Sequence, residues 1–243
     1  MSGIDRFNET QTFKLHLPEE DEGLKQYPNL CACLDPGHAE STGGKRSPYS
    51  LGKVSSPELD FCEYKFSRLI ATNLKELLEM HGVDVFITTT EEMDGTTDVG
   101  LSTRANRANN YLSKSGKKGI FMSIHADADG DGSAWTSANG WTCYTTEGKT
   151  NSDILAECLY DAAEEIFVPK GLRLRPDKTD GDRDKEKDFT VINKANMPAV
   201  LVENFFYTNI ENTEYLLSDE GVNDILQVLL KGILSFAEKF YNM

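Results

Sequence analysis

Three apolar runs in this chain each end in a side chain able to do chemistry. Leu30-Cys31-Ala32-Cys33-Leu34 stops at Asp35-Pro36-Gly37-His38; Gly119–Ile124 stops at His125; Ala199–Val202 stops at Glu203. Runs of this length, apolar but for Ser123, read as strands buried on both faces. In an open α/β sheet the ligand crevice lies beyond the carboxyl ends of the strands, so residues far apart in sequence can meet there. A fourth candidate is Glu63. On a helix, Leu59, Ile70, Leu74 and Leu77 fall within about 40° of it, which puts this carboxylate in the middle of an apolar stripe. An isolated carboxylate in a core costs several kcal/mol and must be neutralised, paired or bound to metal.

Two histidines, a helix-borne glutamate and an open coordination position make a catalytic zinc set. Such a metal lowers its bound water toward pKa ~7 and polarises a carbonyl. Glu203 would then take the proton from that water and pass it to a departing amine. Asp35, three residues before His38, would hold an imidazole nitrogen from behind. Each residue also has a plainer reading. His38 can be a packed turn histidine, and His125 a satisfied core histidine. Glu63 can pair with Arg104 or His81, and Glu203 can cap a loop. Arg104 reads as a structural anchor and His81 as a complement to a helix C-terminus.

The ordered set Asp35-Pro36-Gly37-His38, Glu63, Leu101-Ser-Thr-Arg104, Ser123-Ile-His125-Ala126 and Leu201-Val-Glu203 with Phe206 and Asn209 resembles the zinc-dependent N-acetylmuramoyl-L-alanine amidases of the Amidase_3 type. The resemblance runs over residues 29–241. It implies zinc ligands at His38, Glu63 and His125, a catalytic glutamate at Glu203, and hydrolysis of the amide between the lactyl group of N-acetylmuramic acid and L-alanine in peptidoglycan. The family often carries Asn where this chain has Asp127, and Gly where it has Phe205, which sets a bulky side chain beside the implied site.

The elements that must position these residues alternate along the chain. Strands are expected at 30–34, 83–87, 119–125, 140–145 and 199–203. Helices are expected at 56–81, 101–114, 152–167, 211–217 and 222–241. For the first helix, Ser55 with Glu58 fits a capping box and Pro57 a first turn. This alternation predicts an α/β fold: a single twisted, mixed but mostly parallel sheet with helices on both faces. Residues 1–28 are polar and acidic and read as an N-terminal extension; residues 29–243 read as the zinc amidase catalytic domain.

The chain has 243 residues, 39% hydrophobic and 27% charged, with a net charge of −15. That is a globular composition repelled by anionic polymers, which argues against nucleic acid. No apolar run approaches the ~18 residues of a membrane span. The start of the sequence lacks a secretory pattern, which leads to the expectation of synthesis in the cytoplasm and action at the cell wall or periplasm after release, as for a phage or prophage endolysin. The five cysteines are an odd number in apolar settings and read as reduced and buried. Asp127-Ala-Asp129-Gly-Asp131-Gly132 matches the first half of an EF-hand loop, but position twelve is Ala138, so it reads as a solvated loop. The run Asp180–Asp188 reads likewise. Trp135, Trp141, Tyr144 and Phe205 are candidate sugar or peptide surfaces, with core packing favoured for Trp141 and Tyr144. Two rival functions remain open: a zinc carboxypeptidase or endopeptidase on stem peptides, and a non-catalytic wall-binding protein.

Overall fold

The computed structural model describes residues 23–50 and 59–243. In chain order the strands are β1 (Leu30–Pro36), β2 (Asp84–Ile87), β3 (Lys118–Asp127), β4 (Thr142–Thr145), β5 (Lys185–Glu186) and β6 (Ala199–Phe206). The helices are α1 (Glu63–Met80), α2 (Leu101–Ser115), α3 (Asn151–Phe167), α4 (Thr190–Asn193), α5 (Ile210–Leu216) and α6 (Asp219–Tyr241). All six strands form one sheet in the order β2-β1-β3-β6-β4-β5. The pairs β1–β2, β1–β3, β3–β6 and β4–β5 are parallel, and only β4–β6 is antiparallel. The expected mixed, mostly parallel sheet is therefore present.

Strand alternation sorts the core into two layers. Leu30, Ala32, Leu34, Ile120, Met122, Ile124, Val200 and Val202 point to the side covered by α1, α3 and α6. Cys31, Cys33, Phe121, Ala199 and Leu201 point to the other side, with Ala108 of α2 and Val191 and Ile192 of α4. Cys31 and Cys33 thus share one layer, and all five cysteines are free and buried.

Helix α1 begins later than the apolar pattern suggests. Cys62 pairs with Arg46 as an antiparallel bridge. Phe61 O accepts from Ser47 N at 3.0 Å, and Glu63 N donates to Lys45 O at 3.1 Å. These bonds hold 61–62 extended, so the helix starts at Glu63. The expected cap at Ser55, Pro57 and Glu58 lies outside the described residues. The other strands and helices agree with expectation to within a few residues, while the short β5 and α4 had no period to announce them. Helix α6 starts at Asp219, where Ser218 Oγ accepts from Gly221 N at 2.9 Å. No helix among the described residues is long and apolar enough to cross a membrane.

Candidate metal centre

Odd-numbered residues of β1 and β3, and Leu201 and Glu203 of β6, face the α2 and α4 side. Alternation therefore carries Asp35, Ser123, His125 and Glu203 to one place at the carboxyl edge. His125 and Glu203 are direct neighbours across the β3–β6 pairing. His38 lies just past the end of β1, in a left-handed conformation with φ +61°. Its carbonyl is clamped by the Arg68 guanidinium of α1 at 2.8 Å. Gly37 keeps the approach open, because a Cβ there would run into the His125 ring.

Glu63 is 1% exposed. Its Oε1 lies 3.0 Å from His125 Nδ1, 3.4 Å from His38 Nε2, and accepts from Ala126 N at 3.2 Å. The two imidazoles meet edge to face with centroids 4.9 Å apart. One ligand atom from each of His38, Glu63 and His125 lies within 4.8 Å of the others; it is the one such cluster of His, Cys, Asp or Glu among the described residues. The aspartates of 127–132 do not form another. Asp127 pairs with Arg175 Nη2 at 2.6 Å instead.

The proton arrangement follows from the neighbours. Asp35 is fully buried and accepts from Thr88 Oγ1 at 2.5 Å, Arg104 Nη1 at 2.9 Å and Ser123 Oγ at 2.7 Å. Because Ser123 gives its only proton to that carboxylate, its oxygen accepts from His125 Nε2–H at 3.1 Å. His125 Nδ1 then turns a lone pair on Glu63 Oε1. Burial holds the His125 pKa below its ordinary value and so disfavours a second ring proton. Glu63 Oε2 is buried with no hydrogen-bond partner. Two acceptors face to face and an orphaned carboxylate oxygen are what a bound cation would satisfy.

Glu203 also carries a solvent-excluded oxygen without a partner, Oε2. Burial, then the negative charges of Asp127 and Glu63, push its pKa well up, against the pull of Lys45 and Arg175. The strand is fixed next door: Asn204 Nδ2 donates to His125 O at 2.9 Å and its Oδ1 accepts from Trp141 Nε1 at 3.0 Å. The cluster and Glu203 open on a cleft of about 510 Å³, bounded by Lys45, Asp127, Phe189 and Tyr207 among others.

The structure brings His38, Glu63, His125 and Glu203 together. It gives Asp35 a different reach than expected, since Asp35 acts on His125 through Ser123 rather than touching an imidazole. Arg104 binds Asp35, not Glu63, and the His81 ring contacts Lys25 O at 3.0 Å. Phe205 does not crowd the cleft. At φ +59° its fully buried side chain packs on Phe167 and Tyr215 in the core. Trp141 is fully buried and Tyr144 half-buried. Sequence reasoning missed Arg68 and Asn204, which carry no period or motif. Ser123 was findable, standing two residues before His125 on the same strand face.

Fold and site define an α/β protein with a His/Glu/His donor cluster and a second carboxylate at the carboxyl edge of its sheet. The sequence model of the Amidase_3 family, N-acetylmuramoyl-L-alanine amidase, matches residues 32–235. The chain belongs to this family. It is 25% identical over 200 residues to an endolysin of Bacillus phage SPP1, covering 82% of this chain and 63% of the endolysin, which is less than two thirds of that protein's length. It is 25% identical over 240 residues to the amidase AmiA of Salmonella typhimurium, covering 86% of this chain and 76% of AmiA. The crystal structure of the N-acetylmuramoyl-L-alanine amidase from Clostridium difficile 630 shares the fold with a TM-score of 0.69 at 23% identity, covering 88% of this chain and all of that one.

Proposed function

We propose that the protein is a zinc-dependent amidase that hydrolyses the bond between the lactyl carbonyl of N-acetylmuramic acid and the L-alanine nitrogen of peptidoglycan. In this reading His38, Glu63 and His125 hold the metal and Glu203 is the catalytic carboxylate. The observation that carries it is the convergence of the three donors beside Glu203, in a chain of this family. Two imidazoles and one carboxylate, with a side left open to a cleft, are the donor set of a catalytic zinc site. The orphaned Glu63 Oε2 fits the same group.

When bound, the zinc supplies Lewis acidity toward the scissile carbonyl and toward water. The protein's own residues do the rest. The Glu203 carboxylate accepts the proton of the attacking water and returns it to the L-alanine nitrogen as that bond breaks. Its raised pKa suits a group that must both take and give a proton. Ser123 and Asp35 fix the His125 tautomer. Arg68 holds His38 through its carbonyl. The substrate sets the place of action at the cell wall.

The test is digestion of purified peptidoglycan with and without a zinc chelator, followed by identification of the freed amino groups. New L-alanine amino termini that vanish with chelator and return with zinc are expected. Freed amino groups on other stem residues would make it a peptidase, and no new termini would remove the catalytic reading.

A further inference from the structure

The charged run Asp180-Gly-Asp182-Arg-Asp184 joins α3's C-terminal region to β5 and plays no part in the site above. Its single basic residue turns away: Arg183 reaches Glu157, Asp161 and Glu164 of α3 at 2.7, 2.6 and 3.1 Å. The aspartates on either side are left facing each other. The Asp182 carboxyl is within hydrogen-bond reach of both Asp184 and Asp180. Asp184 is only 1% exposed. One of its oxygens accepts from Thr145 Oγ1 of β4 at 2.5 Å. Its other oxygen, Oδ1, is shut off from solvent with no partner, and so is Asp182 Oδ1. The charges acting most on Asp184 are those of Asp182 and Asp153, both negative. Two close carboxylates with orphaned oxygens need a proton or a cation between them.

We infer that Asp182 and Asp184 form a second cation site, taking a hard divalent ion of the calcium class that clips the charged loop to Thr145 of β4. The donors are carboxylate oxygens, as such an ion prefers, and water reaches the ion from the loop side, where Asp180 and Gly181 are exposed. The site is separate from the His38, Glu63 and His125 cluster in both place and donor type. Its reach extends to the cleft, because Asp188 and Phe189, four and five residues on, line it. A two-carboxylate site of this kind is weak, on the order of 10⁻⁴–10⁻³ M.

The test is equilibrium dialysis of the zinc-loaded full chain against calcium chloride, comparing wild type with Asp182→Asn/Asp184→Asn. Wild type should bind one more calcium per chain than the double variant. Its melting temperature should rise with calcium while the variant's does not. Equal stoichiometry in the two proteins, or no binding by wild type up to about ten times that dissociation range, overturns the site and leaves a shared proton in its place. Circular dichroism checks the fold of the double variant. If it fails to fold, Asp182→Asn alone, at the half-exposed position, carries the same comparison. Because binding is read directly, the result is independent of the amidase reading.

Discussion

At the scale of single residues, the site is organised by who owns each proton. Asp35 is acceptor-only, so Ser123 must donate to it, so His125 must donate through Nε2 and present Nδ1 to Glu63. One serine thereby selects the tautomer of a proposed ligand. Ser123→Ala should weaken metal affinity about 10–100-fold, as removal of such an outer partner typically does. Competition against a chromophoric chelator reads this directly. An unchanged affinity would show that the tautomer is set elsewhere. Glu203→Gln should separate the two functions: turnover falls about 10²–10⁴-fold while metal content, measured by mass spectrometry, stays at wild-type level. If turnover is retained, Glu203 is not the proton carrier.

At the scale of elements, the centre depends on how closely β1's exit passes β3. Gly37 lies against the His125 imidazole with no room for a methyl. Gly37→Ala should therefore displace the ring and lower metal occupancy, with little loss of secondary structure by circular dichroism. Full occupancy would mean that the loop yields at no cost. Elsewhere the same logic governs stability. Helices α3 and α6 approach at Gly232, where a Cβ would meet Leu159 Cδ2 at 2.5 Å and Leu159 Cα at 3.0 Å. Gly232→Val overpacks this contact at a cost of about 1–3 kcal/mol. In a domain of this size that lowers the melting temperature by about 2–4 °C per kcal/mol.

At the scale of the whole molecule, a net charge of −15 makes buried acids the pH-sensitive part of the fold. Burial, aided by Asp182 and Asp153, raises the Asp184 pKa from 3.8 to about 7. The folded chain then binds this proton more tightly than the unfolded chain. Its contribution to stability is complete below the unfolded pKa and is lost as pH rises through about 7. Asp184→Asn removes the penalty. In calcium-free buffer it should melt higher than wild type at about pH 8, and the gap should close toward about pH 4. A gap of equal size at both pH values would assign the effect to packing rather than ionisation.

What was legible from sequence alone follows from period and terminus. Apolar runs ending in His38, His125 and Glu203 place those residues at strand ends, and a carboxylate on an apolar stripe, Glu63, demands a partner. Alternation put Cys31 and Cys33 in one layer, and strand–helix order implied the parallel sheet. Tertiary structure alone settled which partner each group took. Arg104 went to Asp35 and left Glu63 to the histidines; Phe205 turned into the core through a left-handed backbone; α1 waited until Glu63 because the 45–47 loop holds the preceding residues extended. Asp182 and Asp184 read as solvated in a charged run, yet Asp184 is buried and Arg183 is drawn off by α3. The reason is one of range. Period reports which face a side chain takes, a local property of the backbone, whereas pairing among buried charges depends on approaches between segments tens of residues apart, which local pattern does not encode.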